Sequence, residues 1–312
     1  MRRLAVIGAL AALAAAGSGV GTSAATFTAH DAFTGTVTTA SDWVAPSLTL
    51  TAPADGSYKT STTVAVSGAA GNSSGDDTTV TLNVYSGSSA SGTPIITRAV
   101  TRSGATWSTS LTGLGQATYT VQATQSDSSG NTTTTPEATF TVDTVAPTRV
   151  SMGAANGTGT AGHIDAGDAI TFTYSEPMLA SSILSGWSGS SAASVKVRFF
   201  SGSSTDSFTV LDSGSAANVK LEAGTTATGG VSLGSNNYVT GTVNFSATLT
   251  QSADGKSFTV TLTGAADQPS RIVSGSQSAK NMTWTPKAGP TDLAGNALSV
   301  TTFTESDNDR DF

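Results

Sequence analysis

Apolar side chains recur at every second position in several short stretches of this chain, with Thr or Ser filling the places between. Val64 and Val66 open the pattern, followed by Val80, Leu82 and Val84, by Trp107, by Tyr119, Val121 and Ala123, and by Phe140 and Val142. Period two places each set on one face of a strand, so these stretches predict about seven short strands with one dry and one wet side. Clusters of Gly, Asn and Ser separate them, as the turns of a two-sheet Greek-key sandwich require. The alternation returns at Val195, Val197 and Phe199, at Val243, Phe245, Ala247 and Leu249, and at Phe258, Val260 and Leu262, with a hairpin turn predicted over Ala253-Asp254-Gly255-Lys256. Asn156-Gly157 marks a further turn, and the Gly-rich stretch from Gly224 to Gly234 reads as a surface loop.

Two near-identical hexapeptides punctuate this pattern. DWVAPS begins at Asp42 and DTVAPT at Asp143, a spacing of 143 − 42 = 101 residues. Proline lacks a backbone N–H and keeps the preceding residue extended, so each hexapeptide suits a connector between domains. A second repeated element follows each connector: DSSGN at 127–131 and DLAGN at 292–296. Asp bonds its own backbone while Gly and Asn accept positive φ, so both pentapeptides predict a hairpin before a closing strand. The first connector and hairpin lie 127 − 42 = 85 residues apart and the second pair 292 − 143 = 149, which gives the second domain about 64 extra residues on a shared plan.

Arg2 and Arg3 precede an apolar run from Leu4 to Ala16 and then small residues. This is the layout of a secretory signal peptide, and the run is shorter than the roughly 20 residues of a membrane-spanning helix. The expected organisation is a signal peptide at 1–25, a Thr-rich leader and linker at 26–46, a β-sandwich at 47–142, a linker at 143–148, an enlarged β-sandwich at 149–304 and a solvated acidic tail at 305–312. Fold class is all-β. The absence of Cys and a formal charge of −7 suit an exported protein that folds without disulfides and argue against a nucleic-acid partner.

Asp143-Thr-Val-Ala-Pro-Thr148 together with Asp127-Ser-Ser-Gly-Asn131 resembles the joint and final hairpin of bacterial Ig-like repeats, which occur in tandem on secreted and surface-attached proteins. The second domain, with Ile164-Asp-Ala-Gly-Asp-Ala-Ile-Thr-Phe-Thr-Tyr-Ser-Glu-Pro-Met178 and Asp292-Leu-Ala-Gly-Asn296, is similar to the Ig-like domains first described in S-layer proteins. The resemblance covers nearly all of the mature chain and is weakest from about Leu179 to Leu249. It implies two tandem immunoglobulin-like sandwiches, and Leu111–Thr124 resembles the tyrosine corner of such domains, with Tyr119 entering a strand after a Gly turn. Residues 26–41 resemble the threonine-rich start of fibre-forming proteins of the camelysin type. They serve either as an arm that pairs with a sheet edge or as a plain leader.

Candidate chemistry is sparse. His30 and His163 are the only histidines, too few and too far apart for a triad or a typical zinc site. The four glutamates, Glu137, Glu176, Glu222 and Glu305, occupy no recognisable glycosidase motif, and Glu176 reads as a structural strand-end residue. Calcium is the ion best matched to the oxygen donors that gather at connectors and turns: Asp42, Asp127, Asn131, Asp143, Asp165, Asp168, Asp292 and Asn296, with Asp76 and Asp77 nearby in sequence. The alternative for each is a turn Asp that caps backbone. The functional expectation is a secreted or cell-surface module with a structural, adhesive or matrix role and no catalysis, whose partner is a cell-wall component, a polysaccharide or another surface protein. A hydrolase acting on carbohydrate through carboxylates of the second domain is the alternative; a cleft holding two carboxylates roughly 5 to 10 Å apart would favour it. Trp43, Trp187 and Trp284 suggest a binding surface if exposed side by side, and core packing if buried singly.

Overall fold

The alternating stretches form strands. The computed structural model describes residues 43–306, 310 and 312; the signal peptide, the leader at 26–41, His30 and Asp42 lie outside the described residues. The chain divides into two units, the first made of residues up to Ser57 with Thr63–Thr112 and Thr118–Phe140, the second of Tyr58–Thr62, Gly113–Ala117 and Thr141–Phe312.

The first eight strands are β1 (Ser57–Lys59), β2 (Val64–Ala69), β3 (Thr79–Ser86), β4 (Ile96–Thr101), β5 (Thr106–Leu111), β6 (Ala117–Ser126), β7 (Thr132–Thr134) and β8 (Ala138–Val142). One sheet runs β1-β8-β6-β3-β4 with β7 on the flank of β6, and β2 pairs with β5 in the other. The chain therefore changes sheet between β1 and β2, between β2 and β3, between β4 and β5, and between β5 and β6, the crossings of an immunoglobulin-like sandwich. Val80, Leu82, Val84, Val121 and Phe140 supply one inner face, and Val64, Val66, Trp107 and Leu111 the other; all are buried. Trp107 lies opposite Gly68 in the β2/β5 register and donates its indole N–H to the Thr49 carbonyl at 3.1 Å. A Cβ at Gly68 would collide with that carbonyl, so glycine is required where the indole and the backbone approach. Tyr119 stacks on Phe140 with centroids 5.6 Å apart, as a core ring.

The second unit is built on β9 (Arg149–Ala155), β10 (Ala169–Tyr174), the one-turn α1 (Ala180–Ile183), β11 (Ala193–Phe200), β12 (Ser207–Asp212), β13 (Val231–Ser232), β14 (Val243–Gln251), β15 (Ser257–Leu262), β16 (Thr283–Trp284) and β17 (Phe303–Thr304). The strands form one sheet in the order β17-β16-β13-β12-β11-β14-β15-β10-β9. Trp284 on β16 nevertheless packs edge-on against Phe172 and Tyr174 of β10, at 5.1 and 5.5 Å, across five intervening strands. A flat sheet would hold these rings far apart, because neighbouring strands are spaced by about 4.8 Å. The sheet therefore curls until its two ends face each other and enclose one core, making a sandwich from a continuous ladder. Val197 and Phe199 from the central strand β11 point into that core beside Val210 and Phe245.

Predicted turns fall where expected at Ala253–Lys256, with Gly255 at φ 72°, and between β9 and β10. Two expectations are corrected. The stretch Gly224–Gly234 is not simply a surface loop: Val231 and Leu233 are fully buried, and β13 pairs with both β12 and β16. Its glycines allow backbone to press on the buried Glu222 carboxylate, which accepts from Thr209 Oγ1 at 2.7 Å, Val210 N at 3.0 Å and Gly224 N at 2.5 Å. The tail is not a solvated end throughout. Glu305 is buried and accepts from Met282 N at 3.1 Å, and the Phe312 ring is buried among Phe199 and Tyr238 at 5.9 and 5.4 Å. An apolar ring at the final position outweighs the acidic residues before it.

Trp187 and Trp284 are buried, while Trp43 is 70% exposed, so the tryptophans form no shared surface. Because Trp284 ties both ends of the sheet together and its indole N–H donates to Leu221 O at 2.9 Å, Trp284→Ala is expected to cost about 3–5 kcal/mol. Urea unfolding monitored for the second unit checks this; a loss below about 1 kcal/mol would contradict the closure described.

Candidate functional site

The two DxxGN pentapeptides fold alike. In the first, Asp127 Oδ1 accepts from Ser129 N at 2.8 Å and Asn131 N at 2.9 Å, while Oδ2 accepts from Asn131 Nδ2 at 2.7 Å. In the second, Asp292 Oδ1 accepts from Gly295 N at 2.7 Å and Asn296 N at 2.9 Å, and Oδ2 from Asn296 Nδ2 at 2.9 Å. Gly130 and Gly295 take φ of 91° and 98°, the left-handed geometry that closes each turn. The hydrogen bond from Asn131 leads the interactions that hold the Asp127 carboxyl below the usual carboxylate range.

The copies differ in what surrounds them. Thr291 and Asp292 are bound to the segment after β10 through the Leu179 N to Thr291 O bond at 2.9 Å and the Met178–Asp292 bridge. Asn296 Nδ2 also donates to the Asp143 carbonyl at 3.0 Å. Antiparallel pairing of β9 with β10 sets Arg149 opposite Tyr174, so the residues just before β9 run beside those just after β10. Glu176 is thereby delivered to the connector Asp. One carboxylate oxygen from each of Asp143, Glu176 and Asp292 lies within 4.8 Å of the other two, the set of three so arranged among the described residues.

Sequence reasoning named Asp143, Asp292 and Asn296 as ligand candidates and assigned Glu176 a structural place. The strand pairing was the signal that could have placed Glu176 here: a residue two past the end of one hairpin strand must lie near the residues that lead into the other. The remaining candidates go elsewhere. Asp127 and Asn131 close the first turn. Asp168 is fully buried and accepts from Gly157 N at 3.0 Å and Asp165 N at 2.8 Å, and burial pushes its carboxyl up despite those bonds. Asp165 lies 3.8 Å from His163 Nδ1. Asp76 accepts from Ser73 N at 2.8 Å, and the Asp77 carbonyl accepts from Gln125 and Arg102. Asp42 lies outside the described residues.

Burial pushes the Glu176 carboxyl up to about 7, helped by the negative charges of Asp143 and Asp292 and by a hydrogen bond with the Asp143 side chain, and opposed by Lys256. Three crowded carboxylates have two ways to relieve this repulsion: hold a proton or hold a cation. The donor set is all oxygen. Each carboxylate offers about four lone-pair positions. Asp292 uses three of them on its own turn and Asp143 Oδ1 accepts from Val145 N at 3.1 Å, so acceptor capacity is left on all three. Hard oxygen ligands of this kind fit Ca²⁺, with water and carbonyl oxygen completing the six to eight positions it takes.

Retaining glycosidases hold two carboxyl groups about 5–5.5 Å apart with the glycosidic bond between them; here the Glu176 and Asp143 carboxyl groups hydrogen-bond to each other. The other glutamates are occupied structurally. Glu222 and Glu305 are the buried acceptors described above, and Glu137 accepts from Ala90 N at 2.6 Å at the surface.

No protein-family model and no curated protein sequence matches this chain. Among solved structures, similarity is found to fibronectin(III)-like modules of Clostridium thermocellum CbhA, at 12% identity over 83% of this chain and 93% of that one with a TM-score of 0.30. It is also found to a putative membrane anchored protein from Corynebacterium diphtheriae, at 14% identity over 81% of this chain and 58% of that one with a TM-score of 0.26. The titin domains z1z2, solved in complex with telethonin, match at 10% identity over 84% of this chain and 93% of that one with a TM-score of 0.22. Scores this low carry no argument, and the fold assignment rests on the strand order. Among the described residues no helix is long and apolar enough to cross a membrane.

An ordinary glutamate loses its proton near 4.5, whereas Glu176 in the folded chain keeps it to about 7. Between those values the folded state binds more protons than the unfolded one, so this group's stabilising contribution declines as pH rises through the window. Glu176→Gln is expected to flatten that decline and to exceed the parent above pH ~7 by on the order of 1–2 kcal/mol, allowing for solvent screening. Urea unfolding across the range checks it; parallel pH profiles for parent and variant would contradict it.

Proposed function

We propose that this chain is a non-catalytic, exported surface or matrix module, built of two immunoglobulin-like sandwiches and stiffened by Ca²⁺ held between Asp143, Glu176 and Asp292. The observation that carries the reading is the convergence of those three carboxylates within 4.8 Å, from the connector, the end of β10 and the DxxGN turn. Three segments far apart in sequence bring like charges to one point, held there by backbone contacts against their repulsion. A divalent cation would convert that repulsion into cross-linking and favour the folded unit over the unfolded chain. It would also draw the proton from Glu176, so affinity rises with pH.

The exported location is supported by the N-terminal signal sequence, the absence of Cys and the acidic charge. A structural, adhesive or matrix role is supported by sandwiches whose buried carboxylates serve backbone hydrogen bonds. The partner in this reading is a cell-wall component, a polysaccharide or another surface protein, met by an exposed face of the sandwiches.

Millimolar Ca²⁺ is expected to raise the melting temperature by several degrees, chelator to reverse the shift, and Asp143→Asn to abolish it while the variant remains folded. Mg²⁺ at the same concentration is expected to do much less, since it demands a tighter octahedral shell. Differential scanning calorimetry with and without chelator checks this, and an unchanged transition in the parent protein would overturn the calcium assignment. Sedimentation of the purified chain with cell walls and insoluble polysaccharides tests the surface role separately.

A further inference from the structure

Two basic residues stand side by side on the outer face of β11. Val195, Val197 and Phe199 point inward and are buried, which leaves Lys196 and Arg198 on the opposite side of the central strand. In the ladder with β14 they lie across from Ser246 and Asn244. Two loops rise on either side. Ser215 and the Thr226 carbonyl come from the segment after β12, and Asp267 from the segment after β15. Between them is a groove of about 210 Å³ whose floor and walls present Lys196, Arg198, Ser215, Asn244, Ser246 and Asp267.

The two cations are tied in place by neutral acceptors, with Asp212 and Asp267 near enough to feel the charges of Lys196 and Arg198 respectively. Lys196 Nζ donates to Ser215 Oγ at 2.8 Å, which leaves two of its three protons. Arg198 donates from Nε to Asn244 Oδ1 at 2.6 Å and from Nη1 to Thr226 O at 2.8 Å, which leaves three of its five. Among the described residues the pair His163–Asp165 is the one cation–carboxylate contact within 4.0 Å, so neither Lys196 nor Arg198 has such a partner. Asp267 turns both oxygens to Asn244, accepting from its N and Nδ2 at 2.7 Å each. Asp212, nearer Lys196, is engaged with Ala216 N and Asn218 Nδ2 at 2.9 and 2.6 Å. In a chain with 21 acids and 14 bases, a groove lined by two cations, each with donors to spare, and one carboxylate, Asp267, carries a local excess of positive charge.

We infer that this groove binds the anionic substituent of an acidic polysaccharide, with Lys196 and Arg198 on the carboxylate or sulfate and Ser215, Ser246 and Asn244 on the sugar hydroxyls. The inference rests on the surface-module reading and names its binding face. A groove of about 210 Å³ is on the scale of one sugar unit rather than a whole chain. Fixed cations that accept nothing themselves select for an acceptor-only group, and the hydroxyl-rich walls suit the remainder of a sugar.

Titration calorimetry of the purified chain with polygalacturonate, with a sulfated dextran and with neutral dextran tests it. Binding to at least one acidic polymer is expected, weakened by added salt, with neutral dextran silent; which acidic polymer binds distinguishes carboxylate from sulfate. Lys196→Gln with Arg198→Gln is expected to weaken that binding at least tenfold, while Arg102→Gln, on the first unit, leaves it unchanged. Equal binding of neutral dextran, or an undiminished double variant, overturns the inference. Sedimentation with cell walls separates the two levels: a double variant that still sediments, with no acidic-polymer binding in the parent, sinks the groove and leaves the surface role standing. Loss of sedimentation in the parent sinks the role itself. Circular dichroism of the double variant confirms that the fold is kept.

Discussion

One carboxylate oxygen accepting two backbone N–H groups fixes the loop on which the candidate site depends. Asp292 Oδ1 closes the DxxGN turn, and the turn in turn presents Asn296 to the Asp143 carbonyl. Without that clamp nothing would set connector and turn at a defined distance, and Glu176 would meet no second negative charge. Related clamps recur in the second unit at Asp168, Asp206 and Glu222, each buried and each taking one backbone donor on either carboxylate oxygen. Serine, threonine and glycine provide little apolar anchorage for loops. Buried acids therefore supply the tether that leucine or a disulfide supplies in other chains, at the cost of desolvating each carboxylate, a cost that the hydrogen bonds offset only in part, since burial still pushes all three carboxyls up.

That economy explains why acidic residues in this sequence are poor indicators of chemistry taken singly. Asp127 and Asp292 have the same sequence context and the same turn, yet among the described residues only the second lies beside two further carboxylates. The difference comes from the chain around the turn: the β9/β10 hairpin delivers Glu176, and Asn296 draws in Asp143.

The strands were legible because their signal is local. Val195, Val197 and Phe199, or Phe258, Val260 and Leu262, declare a buried face within five residues, and the structure places those faces inward. The turn at Ala253–Lys256 and both pentapeptides were legible for the same reason. What sequence could not convey was the path of the sheet. That Val231 enters a ladder between β12 and β16, or that Phe312 finds a place beside Phe199, depends on pairings across tens to more than a hundred positions. Glu176 falls between these cases: its neighbour on the chain is readable, and its neighbour in space follows only once β9 is known to pair with β10.

The curled ladder of the second unit also has a temporal side. Phe172 and Trp284 are 284 − 172 = 112 positions apart, and their contact exists only when every strand between them is in register. Such a ring closes late, because loop-closure entropy must be met before the distant partner rewards it. Until then both margins of the ladder present unpaired backbone donors and acceptors, the template on which a strand from another chain pairs.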